Sequence, residues 1–231
     1  IFLFAIAVSH LPGCNAPSTN ADIEKAQEVR PEDAREKPII FTTNYPLTYF
    51  AERITDGAVT INYLVPPNID SSLWRPKPTD VAQMQTGDLI FINGVTYEKW
   101  LDFVSLPESK LIDTSVVFQE QYLEIENSQT HRHGPEGEHT HTGTVAITWL
   151  NLQFAIAQAD TIRAALMRLR PDLAATFQEN FLSLKQDLED LDKELETALG
   201  PYINQPLLAP YPMYEYLAQR YNLNLKSVSW E

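Results

Sequence analysis

Short apolar runs alternate with amphipathic segments in the first half of the chain, and this alternation restricts the fold more than any other feature. The apolar runs, which predict strands, cover residues 39–42, 59–65, 89–93 and 110–113. Between them lie predicted helices at 47–54, at 79–86 with Thr79 as its N-cap, and at 97–101. Strands separated by helices of this length favour a parallel sheet covered on both faces. We therefore predict an α/β fold.

Helical periodicity dominates from residue 149 to residue 199, apart from a break at Arg170-Pro171, where a helix must stop and restart. After the break, apolar residues recur every three or four positions on a helix of about 28 residues, roughly 40 Å long. We expect this stripe to pack on its own domain, with a self-associating coiled coil as the alternative. Its members are Phe177, Phe181, Leu184, Leu188, Leu191, Leu195 and Leu199. A strand, a helix and a strand are then predicted at 207–209, 213–221 and 225–230.

The charge balance excludes one large class of partners. With 17 Lys and Arg against 31 Asp and Glu, the formal net charge is −14, whereas nucleic-acid binders cluster basic residues to neutralise phosphates. Gly and Pro, at 8 and 16 of 231 residues, are too few for a disordered chain. The sequence holds neither an H-E-x-x-H nor a G-x-S-x-G motif, so we predict no enzyme activity.

Residues 1–14 have the character of an export signal. The uncharged apolar run over 1–8 is too short to span a bilayer, and Leu11-Pro12-Gly13-Cys14 after it resembles the lipobox of bacterial lipoproteins. Cys14, the single Cys of the chain, is the predicted lipidation site, with an ordinary signal peptide as the alternative. Residues 15–37 carry almost no large apolar side chains and predict a flexible tether. We expect an exported protein, periplasmic or at the cell surface, anchored to the membrane through a lipidated Cys.

A histidine-rich loop, which we place at residues 130–142, carries the strongest chemical signal. Four of the five His residues of the chain lie in it, as an H-x-H pair at each end, and the Gly and Pro residues between the pairs exclude a helix. Neutral imidazole is the commonest protein ligand of Zn²⁺, and copper or nickel would also accept such a site. A solvated polar loop is the alternative. The predicted ligands are His131, His133, His139 and His141, with Glu136 and Glu138 as further candidates.

Several segments in a fixed order resemble one family of transport proteins. They are TTNYPLTYFAERITDG, DSSLWRPKPTDVAQMQTGDLIFINGVTYEKWL, the His-rich loop, TWLNLQFAIAQA and PYPMYEYLAQRYNLNLKSVSWE. In this order they are similar to the ZnuA-like (cluster A-I) solute receptors of bacterial zinc and manganese ABC transporters. The resemblance implies two lobes, each a mainly parallel sheet flanked by helices, joined by a long rigid helix, with a metal held in the cleft between the lobes.

The resemblance also implies a division of the chain. We expect an N-terminal α/β lobe over 38–150, a long helical linker region over 151–199, and an incomplete second lobe over 200–231. The family's first three metal ligands fall on Ser72, Ile147 and Tyr211 of this chain, and its last, acidic ligand would lie beyond Glu231. A neutral hydroxyl is a poor zinc ligand and Ile is none.

Together these features predict a monomeric, extracytoplasmic solute-binding protein that captures a divalent transition metal and delivers it to an ABC permease. We expect the metal to be Zn²⁺, with Mn²⁺ or another divalent transition metal as the alternative, and the His-rich loop to bind it. A second hypothesis is a non-metal ligand in the cleft, which Trp74 and Tyr211 would stack against. A third is a surface adhesion or interaction lipoprotein. Nucleic acid is not expected as a partner.

Overall fold

A computed structural model describes residues 37–125, 131–132, 138–139 and 143–227. The predicted signal segment with Cys14, nearly all of the predicted tether, and the last three residues of the predicted strand at 225–230 lie outside these residues. Residues from Lys37 onward belong to one compact unit. In the described part of the chain, no helix is both long enough and apolar enough to cross a membrane.

A four-stranded sheet forms the centre of the fold. Its strands are β1 (Ile39–Thr42), β2 (Thr60–Tyr63), β3 (Leu89–Ile92) and β4 (Leu111–Asp113). They lie in the order β2-β1-β3-β4, and every neighbouring pair is parallel. The predicted parallel α/β sheet is confirmed, and each predicted strand lies within two residues of an observed one.

Helices and apolar side chains cover both faces of the sheet. On one face Ile40 and Phe91 pack against α1 (Tyr45–Thr55), α3 (Leu152–Leu169) and α4 (Ala174–Leu199). On the other face Phe41 and Ile90 pack against Met84 of α2 (Pro78–Thr86) and against two Trp residues. Neighbouring residues of one strand point to opposite faces, so an unbroken apolar run such as Ile39–Thr42 serves two cores.

Two predicted helix starts are wrong. The N-cap of α2 is Lys77 rather than Thr79, because Pro78 occupies the first helical position, where its missing N–H costs nothing, and the Asp80 carboxylate accepts a hydrogen bond from the Lys77 N–H at 2.8 Å. The helix predicted at 97–101 is a 3₁₀ turn at Lys99–Phe103. It starts later because Val95 and Thr96 have positive φ and Glu98, with φ −88° and ψ 67°, is not helical either.

The long helix α4 has 26 residues and a length of about 39 Å. Phe177, Phe181, Leu184 and Leu188 from the predicted stripe are buried in the core shared with α1 and α3, so this half of the stripe packs on its own domain as expected. Further along, Leu191 is 43% exposed. The break predicted at Arg170-Pro171 is confirmed, because α3 ends at Leu169 and a short 3₁₀ turn at Pro171–Leu173 precedes α4.

The last part of the chain forms a parallel strand pair around a short helix. β9 (Leu207–Ala209) pairs with β10 (Leu225–Ser227), and α5 (Glu215–Tyr221) connects them, as the sequence predicts. Asp192 of α4 holds α5 by accepting hydrogen bonds from Arg220 at 2.5 and 3.0 Å and from the Tyr221 hydroxyl at 2.8 Å. Two further strand pairs are short and antiparallel: β5 (Glu124–Ile125) with β8 (Gly143–Thr144), and β6 (His131–Arg132) with β7 (Glu138–His139).

Candidate functional site

The carboxyl ends of β1, β3 and β4 lie at one edge of the sheet, where ligands of α/β proteins usually bind. The segments that follow these strands are polar and buried: Thr43 and Asn44 after β1, Asn93 after β3, and Thr114 after β4. Polar groups at this depth need hydrogen-bond partners. They find them in one another and in neighbouring side chains, and the resulting network reaches Ala146, which lines a nearby cavity.

Asn93 is the centre of this network. Its side-chain oxygen accepts hydrogen bonds from the Gln158 amide of α3 at 3.2 Å and, at 3.4 Å each, from the Asn44 amide and the Thr148 hydroxyl. Its side-chain nitrogen donates to the carbonyl oxygen of Ala146 at 2.9 Å. The network therefore fixes the position of the segment around Ala146 relative to the sheet.

A cavity of about 500 Å³ opens near this edge. Ser72, Ile147 and Tyr211 all line it, although they come from three distant parts of the sequence. These are the three positions at which the resemblance places metal ligands, and the structure brings all three to one cavity. Tyr211 is 55% exposed and lies at the rim.

The cavity has the size of a small-molecule site but lacks good metal ligands. Ser72 and Tyr211 offer neutral hydroxyls, and Ile147 offers no donor atom. Asp70 supplies a carboxylate, but one of its oxygens already accepts hydrogen bonds from the N–H and hydroxyl of Ser72, at 2.9 and 2.7 Å. Among the residues that the structure describes, no three His, Cys, Asp or Glu side chains are grouped so that they could hold a metal ion.

Trp74 does not share this cavity with Tyr211. It is 8% exposed and packs edge to face on Trp100, with ring centroids 5.7 Å apart, in the apolar core of the sheet's second face. Trp74 borders a separate cavity of about 410 Å³, together with Trp100 and Phe103. The pair of stacking aromatics expected for an organic ligand is therefore not brought together.

Two described stretches of the His-rich loop, β6 and β7, pair with each other. In the antiparallel pair of β6 and β7, His131 lies directly opposite His139, and Arg132 lies opposite Glu138. His133, His141 and Glu136 lie outside the described residues. The register thus joins one His from each H-x-H pair.

The loop between β3 and the following 3₁₀ turn is the feature of the cleft that sequence reasoning missed. Gly94, Val95 and Thr96 all have positive φ, at 81°, 52° and 58°, a region that β-branched residues seldom adopt. A side chain at Gly94 would collide with the Asp113 carboxylate and the Ser115 hydroxyl. Thr96 and Tyr97 then line the cavity. The Asn-Gly pair after an apolar run was the available signal, since such pairs mark left-handed turns.

The Glu98 carboxylate stabilises this loop by accepting hydrogen bonds from its backbone. The Glu98 side chain is 4% exposed, and one carboxylate oxygen accepts hydrogen bonds from the Thr43 hydroxyl at 2.5 Å and the Asn93 N–H at 2.7 Å. The other oxygen accepts from the Gly94 N–H at 3.1 Å. Burial raises the pKa of Glu98 to about 7, although these three hydrogen bonds oppose the shift. Such a carboxyl titrates near neutral pH.

Comparisons with a family model and with known relatives point to the same family. Residues 40–231 match the model of the family described as "ZnuA: Zinc-uptake complex component A periplasmic". The chain is 26% identical over 232 residues to the high-affinity zinc uptake system protein ZnuA of Bacillus subtilis (strain 168), covering 96% of this chain and 68% of the relative. It is 24% identical over 234 residues to the manganese ABC transporter substrate-binding lipoprotein scaA of Streptococcus gordonii, with the same coverage.

Solved structures agree with the sequence comparisons. A crystal structure of ZnuA superimposes with a TM-score of 0.71 at 26% identity, over 85% of this chain and 72% of that chain. The periplasmic zinc binding protein TroA from Treponema pallidum shares the fold, with a TM-score of 0.71 at 20% identity, over 83% and 66% of the two chains. Because the family model covers most of the chain, the chain belongs to the ZnuA family.

Proposed function

We propose that this chain is the extracytoplasmic solute-binding component of an ABC importer and that its solute is a divalent transition metal, Zn²⁺ first and Mn²⁺ as the alternative. The family match over residues 40–231 supports the transport role. The names of the relatives support both metals, since one is a zinc uptake protein and another a manganese transporter lipoprotein. Proteins of this family bind and deliver a solute, and we infer that this chain catalyses no reaction.

We further propose that the His-rich loop, called the histidine hairpin from here on because its strands β6 and β7 pair, binds the metal. The observation that carries this proposal is the register of β6 and β7, which sets His131 opposite His139. His133 and His141 follow at H-x-H spacing and would complete a four-nitrogen shell, with Glu136 and Glu138 as further candidates. The cleft is a weaker candidate. The residues that we align with the family's ligand positions are Ser72, Ile147 and Tyr211, and their side chains are poor metal ligands or none.

The remaining partners follow from the transport role. We propose that the chain acts as a monomer, that it delivers its metal to a permease subunit, and that a lipid on Cys14 anchors it to the membrane. Two of the relatives are named as lipoproteins of metal ABC transporters, which supports the anchor. Surface adhesion stays a prediction.

Calorimetric titration with Zn²⁺ tests the metal site. We compare the chain with a variant in which His131, His133, His139 and His141 are Ala, and with a control variant carrying Ser72→Ala and Tyr211→Phe. We expect saturable binding in the unchanged chain and in the control, and none in the His variant. Equal binding by the His variant would place the metal elsewhere, and loss of binding in the control alone would place it in the cleft.

A non-metal solute is the second candidate function. The observation that favours it is the cavity of about 500 Å³, which is far larger than one ion needs and is lined mainly by hydroxyl and apolar groups, with Asp70 and Lys99 beside them. A thermal-shift screen of small organic solutes tests it. A solute that stabilises the chain but not an Ile147→Trp variant, whose larger side chain would fill the cavity, would support this candidate.

A further inference from the structure

The left-handed loop at residues 94–96 and the buried carboxylate of Glu98 are hydrogen-bonded to each other, next to residues that line the cavity. Gly94, Val95 and Thr96 are held in left-handed conformations, and such conformations persist where the surrounding contacts enforce them. Glu98 supplies those contacts through the N–H groups of Asn93 and Gly94. We propose that Glu98 is a positioning residue that acts as a proton-sensitive latch: ionised, it holds the loop and the cleft wall in place, and protonated, while it stays buried, it holds them more weakly.

The two carboxylate oxygens of Glu98 are not equivalent, and this decides where the proton binds. One oxygen accepts two short hydrogen bonds, from Thr43 and Asn93. The other accepts one longer bond, from the Gly94 N–H at 3.1 Å. A proton therefore adds to the second oxygen at least cost. The protonated oxygen is a weaker acceptor than the charged one, so the hydrogen bond from the Gly94 N–H, in the first residue of the strained loop, weakens.

Few positively charged groups that could stabilise the ionised form of Glu98 lie near it. In the described part of the chain, no Lys, Arg or His forms an ion pair with Glu98. Tyr97 lies beside it, and Asp113 of β4 lies close to Gly94; neither side chain can carry a positive charge. Lys99 is exposed. The residues after β1 and on α3 that bond to Glu98 or to its partner Asn93 are uncharged: Thr43, Asn44 and Gln158.

The loop transmits the change to the cleft through Tyr97. The Tyr97 hydroxyl is hydrogen-bonded to the Ser71 hydroxyl at 2.6 Å, next to Ser72. The Tyr97 ring packs edge to face on Trp149, with centroids 5.5 Å apart. Thr96 and Tyr97 are themselves part of the cavity wall. A weaker hydrogen bond to Gly94 therefore loosens the wall on the side where Ser72 lies. This holds for any solute of the cleft and does not depend on the histidine hairpin.

Hydrogen exchange of the peptide spanning residues 93–98, read by mass spectrometry between pH 5.5 and pH 8 and corrected for the intrinsic pH dependence of exchange, tests the latch. A hydrogen bond to a charged group is strong enough that we expect exchange about tenfold faster at the acid end. Glu98→Gln, which mimics the protonated carboxyl, should exchange fast at every pH. Glu108→Gln, the same change at an exposed site, should behave as the unchanged chain.

A second variant separates the latch from a merely structural role. The Thr43 hydroxyl stabilises the ionised form of Glu98, so Thr43→Val should move the midpoint of the exchange transition to higher pH. This test remains informative if Glu98→Gln does not fold. The proposal is overturned if exchange at 93–98 is independent of pH in the folded, unchanged chain, or if the midpoint in Thr43→Val stays where it was or moves to lower pH.

Discussion

Replacing Glu98 with Gln should change how the stability of the whole chain depends on pH. Burial raises the pKa of Glu98 from its ordinary value of 4.5 to about 7 in the folded chain, whereas the unfolded chain keeps the ordinary value. Between these two values the folded state binds a proton that the unfolded state does not. The free energy of unfolding therefore falls as pH rises through this window, by at most about 1.4 kcal/mol per pH unit.

The total effect is on the order of 3 kcal/mol between pH 4.5 and pH 7. It is present in full below pH 4.5 and is lost as pH rises through the folded-state pKa of about 7. Gln cannot ionise, so Glu98→Gln should remove this slope while every other group continues to titrate. Glu108→Gln, at an exposed position, should keep the slope.

Urea unfolding at pH 5, 6, 7 and 8, followed by far-UV circular dichroism, measures the difference. We expect the stability of Glu98→Gln relative to the unchanged chain to rise from pH 5 to pH 8, because only the unchanged chain then contains a buried charge. If the two stability curves run parallel across this range, Glu98 does not titrate near neutral pH, and the physical argument for the latch fails.

Three further changes test other parts of the structure. Gly94→Ala should destabilise the chain by about 2 kcal/mol or more, because the new methyl group meets Asp113 and the position is left-handed; an unchanged melting temperature would contradict this packing. Leu184→Ala should cost about 2–5 kcal/mol since Leu184 is fully buried, while Leu191→Ala, at a 43% exposed site, should cost under about 1 kcal/mol in the same denaturation assay; equal costs would refute the orientation of α4. Asp192→Asn should speed hydrogen exchange in α5 without changing exchange in β3, because Asp192 holds Arg220 and Tyr221; equal protection of α5 in both chains would count against that role.

The strands of the sheet could be predicted from the sequence, because they are short apolar runs with polar residues on either side. Ile40 and Phe41 face different cores, so the run is apolar at both positions and stands out. The start of α2 was misplaced because Thr79 is a good cap by type, whereas Pro78 fixes the first helical position one residue earlier. Local residue preferences do not show whether the N-cap preference of Thr79 or the first-position preference of Pro78 decides where the helix starts.

The site was predictable only in part. Order along the chain led us to predict that Ser72, Ile147 and Tyr211 stand at the family's ligand positions; that assignment stays a prediction, and the structure places the three residues around one cavity. Glu98 was not predictable, because the sequence has 31 acidic residues and does not say which of them the fold buries. The role of Trp74 was also out of reach, since its packing on Trp100 depends on how two loops meet above the sheet.

X-ray absorption at the zinc edge of the chain loaded with one equivalent of Zn²⁺ tests the central claim most directly, because it identifies the ligand atoms. If the histidine hairpin binds the metal, the spectrum should show three or four imidazole nitrogens at about 2.0–2.1 Å, and it should change when His131 and His139 are replaced by Ala. A shell made only of oxygen atoms, or a spectrum identical in that variant, would contradict the account.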